Sequence, residues 1–315
     1  RRDAADKLHS ISKEMTTGSG GSLVDKPVGF EIRKLSPACG AEIIGLDLHE
    51  NLPEQTIADL REAWSEHVVL VFRDLELTEE EQLRFAGRFG QLGERKQPPE
   101  ALRRRTEGVL QTDQRVMLVS NMKVNGEPVG SFGDGDMWYH IDSGYSERPY
   151  NYTFLYGVEL PSKGGNTLFS NMYAAYDALP ADMKQRLKGR KALHIHQYER
   201  RKRVELTEEA IRNSPHWFHP VFITHPESKR KSLFVDRLMT QRIEGVSHQE
   251  SEEILEFLYE HGEKRDFVYE HEWRLGDFVM WDNRCAIHAR TWFPDDENRL
   301  LRRCTIEGAP VYEDL

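Results

Sequence analysis

Trp138-Tyr139-His140-Ile141-Asp142 is the stretch on which the reading of this chain turns. Aromatic and β-branched residues give it the character of a strand. On a strand, residues two apart point to the same face. His140 and Asp142 therefore project together, and a cation can be held between the imidazole and the carboxylate. An ordinary strand end also supplies a histidine and an aspartate, so the pair carries weight only with a third ligand.

That ligand must come from elsewhere among 13 histidines. His288 closes Trp281-Asp282-Asn283-Arg284-Cys285-Ala286-Ile287-His288, just beyond an apolar strand. Two histidines and one carboxylate on a rigid β framework make the facial triad of non-haem Fe(II) oxygenases, which leaves octahedral positions open for a cosubstrate and O₂. Downstream, a strand over 299–306 places Arg299, Leu301 and Arg303 on one face and Leu300 and Arg302 on the other. A lone arginine is usually a solvated charge. Two with a leucine between them on one face suit bidentate anion recognition instead.

The rest of the chain reads as strand-rich with clustered helices. Strands are expected at 30–33, 41–45, 68–72, 152–160, 267–273, 277–281 and 299–306. Helices are expected at about 54–66, from a capping box at Thr78-Glu79-Glu80-Glu81 to Phe89, at 173–187, and from a capping box at Ser247-His248-Gln249-Glu250 to His261. His219–Thr224 and Ser232–Val235 flank Pro226-Glu227-Ser228-Lys229 as a hairpin. Residues 91–130 read as a long irregular connection. Residues 1–25 have a flexible-linker composition and are expected to be an arm outside a single domain spanning 26–315. The fold class expected is a β-rich α+β chain with a β core and helices outside.

Composition bounds the function. The chain has 315 residues, 43 Lys plus Arg against 53 Asp plus Glu, and a formal net charge of −10. An acidic balance argues against a nucleic-acid partner. No apolar run reaches membrane-spanning length and the N-terminus has no apolar signal core, so a cytoplasmic protein is expected. Cys39, Cys285 and Cys304 are too few and too far apart for a disulfide framework or a zinc knuckle, and are expected to be small buried hydrophobes.

The chain resembles the taurine/2,4-dichlorophenoxyacetate dioxygenase (TauD/TfdA) family of Fe(II)/2-oxoglutarate-dependent oxygenases over about residues 28–310. The resemblance is carried by Gly40-Ala41-Glu42-Ile43-Ile44-Gly45-Leu46-Asp47-Leu48, by Trp-x-His-x-Asp at 138–142, and by Gly164-Gly165-Asn166-Thr167. It continues with His219-Pro220 through His225-Pro226, then Trp281-Asp282-Asn283-x₄-His288, then Arg299-x₃-Arg303-x-Thr305-Ile306. Their order and spacing are specific together. The resemblance implies a double-stranded β-helix (jelly-roll) core. It implies that His140, Asp142 and His288 bind Fe(II). 2-Oxoglutarate would chelate the metal, its far carboxylate held by Arg299 with the Thr167 hydroxyl. Arg303 falls where taurine-type enzymes bind the anionic end of the substrate. The implied reaction consumes O₂, releases succinate and CO₂, and oxidises a small, anionic organic molecule, most simply by hydroxylation. A homo-oligomer is the family expectation.

Other constellations have plainer readings. His194-Ile195-His196 is a same-face pair with no acidic ligand following, read as a strand pair near the surface. His216-x-x-His219 lies between Pro215 and Pro220 and reads as a turn. His219 and His225 are expected to stabilise the hairpin. Asp282 and Asn283 are expected to pin the turn before His288. Trp138, Trp281 and Trp292 read as core, and Arg200-Arg201-Lys202-Arg203 as a solvated loop. A competing function uses the same triad without redox chemistry, as a jelly-roll binding protein or a hydrolase holding Zn²⁺. The Arg299/Thr167 pair separates the two, because a hydrolase has no use for it.

Overall fold

The computed structural model describes residues 29–94, 113–133, 135–196 and 207–315. The expected arm at 1–25 and the basic run at 200–203 lie outside the described residues.

Two sheets form the centre. The larger has seven strands in the order Glu31–Lys34, Ala41–Ile44, Val69–Phe72, Phe278–Asp282, Tyr152–Glu159, Leu300–Ile306 and Met117–Ser120. The smaller has four, in the order Val268–His271, Thr167–Asn171, Ala286–Arg290 and Met137–His140. The strands pair antiparallel, except that Ala41–Ile44 runs parallel to Val69–Phe72.

Period-two alternation divides each central strand between two cores. Val69, Val71, Leu155, Val279, Trp281 and Leu301 face the smaller sheet and meet Phe169, Tyr269 and Ala286 there. Leu70, Phe72, Phe154, Phe278 and Met280 face the other way, onto Leu60, Trp64 and Phe85 of helices Glu54–His67 and Glu79–Ala86. Burial on both faces explains why Val69–Phe72 and Phe278–Met280 are unbroken apolar runs. Each fully buried side chain of this size contributes about 1.5–3 kcal/mol. This sandwich of two sheets with helices outside is the expected jelly-roll core.

Several local expectations are corrected. The 173–187 helix is two helices, Met172–Asp177 and Ala181–Leu187, because Pro180 cannot continue the first and instead opens the second. Residues 91–130 contain the edge strand Met117–Ser120, paired to Leu300–Arg303; residues 95–112 lie outside the described residues. His216–Pro220 is a strand, not a turn, and pairs with Lys191–Ile195 at a sheet edge, where flanking prolines are tolerated. The hairpin is accordingly shorter, Phe222–Thr224 against Lys231–Leu233. The Thr78 capping box is complete, with Thr78 Oγ1 accepting from Glu81 N–H at 3.2 Å and Thr78 N–H reaching Glu81 Oε2 at 2.8 Å. Ser247 forms only its half, since the Glu250 carboxylate goes to Arg186 at 2.6 Å.

Candidate active site

The antiparallel register sets His288 directly opposite His140 on the adjacent strand. Both rings are buried and their centroids lie 4.1 Å apart. Asp142 sits just past the end of the Met137–His140 strand, where Gly144 N–H closes a turn onto Ile141 O at 3.0 Å. Asp142 Oδ1 is 3.9 Å from His140 Nε2 and 4.0 Å from His288 Nε2. These separations are too long for direct hydrogen bonds. The three ligand atoms nevertheless lie within 4.8 Å of one another. His140 Nδ1 donates to the Trp138 carbonyl at 2.9 Å, which leaves Nε2 with its lone pair facing inward. Two imidazoles and one carboxylate, converging without touching, fit a divalent cation of the Fe(II) type.

The charges agree with that fit. Burial alone would push the Asp142 carboxyl up, but the Arg303 guanidinium, with the Thr153 hydrogen bond, outweighs it and holds the carboxyl below the usual carboxylate range. Burial, reinforced by His140, pushes His288 well down, so it is a neutral ligand-type imidazole. Asp142 Oδ1 accepts from Arg303 Nη1 at 3.0 Å and Oδ2 accepts from Thr153 Oγ1 at 2.6 Å. Arg303, expected at the anionic end of a substrate, is thus placed on the carboxylate of the triad.

Arg299 is buried just before its strand, and its Nε and Nη2 donate to Gly165 O at 3.2 and 2.9 Å. Gly165 has φ +66, and a Cβ there would meet Arg299 Nε at 2.9 Å, so the double glycine is what lets the guanidinium approach. Burial, then the nearby Arg290, pushes Arg299 down to about 9, which leaves it charged at neutral pH. The guanidinium bonds to a single carbonyl, Gly165 O, and no carboxylate salt bridge neutralises it among the described residues. A buried guanidinium without a counter-charge fits an anionic ligand. Thr167 Oγ1 accepts from Trp273 Nε1 at 3.0 Å, so its own proton remains to be donated.

Arg290, which sequence reasoning missed, is buried beside Arg299 and donates to Gly135 O at 2.9 Å and Phe132 O at 2.6 Å. Both guanidinium groups lie over the Phe293 ring, at 5.4 and 5.8 Å from its centroid. Its spacing two residues beyond His288 was the available signal. Thr153 was also missed; nothing about a threonine inside an apolar strand marks it.

The remaining candidates fall elsewhere. His194 is fully buried rather than near the surface, and its Nδ1 meets Thr240 Oγ1 at 3.2 Å. His219 Nε2 donates to Ser146 O at 2.9 Å, tying the edge strand to the turn after Asp142 rather than bracing the hairpin. His225 Nε2 donates to Asp282 Oδ2 at 2.9 Å. Together with Cys285 these two form a second group of metal-ligand type. There, Arg284 already binds both carboxylate oxygens of Asp282, at 2.9 and 2.6 Å, so a salt bridge occupies the cation position. Trp281 is core, Trp138 is half-buried, and Trp292 is exposed. The three cysteines are buried and free.

A family model described as taurine catabolism dioxygenase TauD, TfdA family matches residues 31–305. The chain belongs to the TauD/TfdA family. The alpha-ketoglutarate-dependent 2,4-dichlorophenoxyacetate dioxygenase of Cupriavidus pinatubonensis is 34% identical over 292 residues, 86% of this chain and 95% of that protein. The (S)-phenoxypropionate/alpha-ketoglutarate-dioxygenase of Sphingobium herbicidovorans is 32% identical over 300 residues, 90% of this chain and 97% of that protein. The crystal structure of AAD-2 in complex with Mn(II) and N-oxalylglycine superposes with a TM-score of 0.75 at 29% identity, covering 90% of this chain and 99% of that one. As a TauD/TfdA protein, the chain is an oxygenase that uses Fe(II), 2-oxoglutarate and O₂ on a small organic molecule. The non-redox alternative is set aside by the same relatives. No helix among the described residues is long and apolar enough to cross a membrane.

Proposed function

We propose that this TauD/TfdA oxygenase holds Fe(II) with His140, Asp142 and His288, anchors the far carboxylate of 2-oxoglutarate with Arg299 and Thr167, and takes a carboxylate-bearing substrate beside Arg303. The observation that carries this reading is the convergence of the three ligand atoms within 4.8 Å. When bound, the iron together with 2-oxoglutarate and O₂ supplies the oxidising power to remove hydrogen from carbon, with succinate and CO₂ as products.

The chain's own residues bind, orient and exclude water. The register of the two central strands fixes both imidazoles. The buried Arg299 provides a positive charge at neutral pH in a low-dielectric wall, where an ion pair with an incoming carboxylate is strong. Thr167 offers that carboxylate its hydroxyl proton. Met137 and Trp138, on the strand that carries His140, pack with Leu238, Met239, Phe132 and Tyr145. An apolar cluster on that strand, together with Arg303, favours a substrate with an aromatic or other apolar body and an anionic end. The two relatives' named substrates, a phenoxyacetate and a phenoxypropionate, are of this class. Hydroxylation at a carbon near the carboxylate is the outcome we assign.

For its setting, we propose a cytoplasmic homo-oligomer with residues 26–315 as one domain, acting on small molecules rather than nucleic acid or membrane. The free buried cysteines and the net charge of −10 support the compartment and the exclusion of nucleic acid.

The test needs no substrate. Under anaerobic conditions Fe(II) and then 2-oxoglutarate are added to the apo protein, and the visible spectrum is recorded. A weak charge-transfer band that requires both additions, and is lost in His140→Ala, is expected. A folded, metal-loaded protein without the band would overturn the assignment.

A further inference from the structure

We infer that Trp281, Asn283 and Thr153 form a one-way hydrogen-bond relay that fixes Asp142 as a one-oxygen metal ligand, which makes Thr153 and Asn283 positioning residues for the metal. The inference rests on the reading of His140, Asp142 and His288 as the metal triad.

The direction of the relay follows from what each group can donate. An indole N–H only donates. Trp281 Nε1 lies 3.0 Å from Asn283 Oδ1, and this fixes which end of the amide is oxygen. The other end, Nδ2, only donates, and it lies 2.9 Å from Thr153 Oγ1. The threonine oxygen accepts there, so its single proton goes to its remaining neighbour, Asp142 Oδ2, at 2.6 Å. Asn283 Oδ1 also receives the backbone N–H of Asp142 at 3.4 Å. The carboxylate is thus held at its main chain and at one oxygen by the same amide.

The relay sits where it cannot relax. Trp281, Asn283, Thr153 and Asp142 are 0%, 1%, 0% and 3% exposed. Thr153 lies on an interior strand, paired to Trp281 on one side and Thr305 on the other. Burial keeps bulk water from competing for these bonds, and interior strands carry Trp281 and Thr153.

Its consequence is a division of labour between two chemically equal oxygens. Oδ2 is turned to Thr153, while Oδ1 faces both imidazoles. Without the relay only Arg303 would hold the carboxylate head, at Oδ1, and the carboxylate could rotate so that Oδ1 no longer faces both imidazoles. Partners of this kind around a ligand typically change metal affinity about 10–100-fold.

Thr153→Val removes the proton but keeps the shape, and Thr153→Ser restores the hydroxyl. The probe is Mn(II) added to the anaerobic apo protein, with free Mn(II) followed by electron paramagnetic resonance. We expect Thr153→Val to fold and to bind Mn(II) about 10–100-fold more weakly, with Thr153→Ser recovering most of the loss. Thr153→Val binding as tightly as the parent would overturn the relay. A purely structural threonine would lower the melting temperature of both variants without this split in metal affinity. Should the valine variant not fold, the unmodified chain with ¹³C-labelled aspartate and Mn(II) is read by infrared difference spectroscopy. The wide carboxylate splitting of one-oxygen ligation supports the relay, and the narrow splitting of two-oxygen ligation overturns it. A parent chain that fails to bind Mn(II) at all refutes the triad, and the relay with it.

Discussion

Arg303 Nη1 donates to Asp142 Oδ1 at 3.0 Å, the same oxygen that faces the two triad imidazoles. One atom is therefore shared between a fixed cation and the position proposed for a mobile one. This sharing separates the two properties that a substitution of Arg303 would change.

Arg303→Ala is expected to raise KM for a carboxylate substrate at least about tenfold, the scale of a lost hydrogen bond to a charged group of roughly 1.5–3 kcal/mol. Metal affinity is expected to hold or tighten, because a positive charge has been taken from beside a dication. Succinate release against substrate concentration reads the first quantity, and Mn(II) titration reads the second. Weakened metal binding with an unchanged KM would reverse the assignment.

Arg299 gives the opposite pairing of effects. Its guanidinium is buried against a carbonyl, is pushed down to about 9 by burial and by Arg290, and has no carboxylate salt bridge among the described residues. Arg299→Met is expected to weaken 2-oxoglutarate by about 30-fold or more, the lower end of a truncated buried charge pair. The same change is expected to leave the apo protein as stable or more stable, because an uncompensated buried charge is gone. Thermal melts with and without 2-oxoglutarate check both arms: the ligand raises the parent's Tm and not the variant's. A variant that still responds to 2-oxoglutarate would count against Arg299 as the anchor.

Acid sensitivity is expected from His219. Burial, followed by the neighbouring His194, pushes it down to about 3 from an ordinary value of 6.5. Between those two values the unfolded chain binds a proton that the folded chain refuses. Its contribution is therefore complete above pH 6.5 and falls as the pH drops towards 3, to a loss of at most about 5 kcal/mol. Urea midpoints at several pH values should decline over this window, and His219→Gln should flatten the decline. Parallel curves for the two proteins would locate the acid sensitivity elsewhere.

His140 and Asp142 were paired from strand alternation, and they do converge, although Asp142 lies just past the strand end and is brought inward by the turn that Gly144 closes onto Ile141. His288 needed only a second strand nearby, and the register supplied it. Arg299 and Arg303 were legible for the same reason, but their partners were not. The sequence does not say that Gly165 O receives one and Asp142 Oδ1 the other. Those contacts depend on how two sheets face each other. Helix limits followed the local chemistry of Thr78, while Pro180 and the edge strand at 117–120 were misread because their structure is set by neighbours distant in sequence. Thr153 was invisible, since its role arises from Asn283 and Asp142 meeting it in space.

The strands at 278–282, 286–290 and 300–306 all lie inside their sheets, flanked on both sides by earlier parts of the chain. During synthesis those earlier strands emerge first and must wait, with gaps between them, for partners made later. His140 and Asp142 then exist for a time without His288, Arg299 or Arg303. Iron captured by the nascent chain would meet two of the three ligands proposed for it and no proposed carboxylate anchor, so the proposed centre is completed only by the step that closes both sheets.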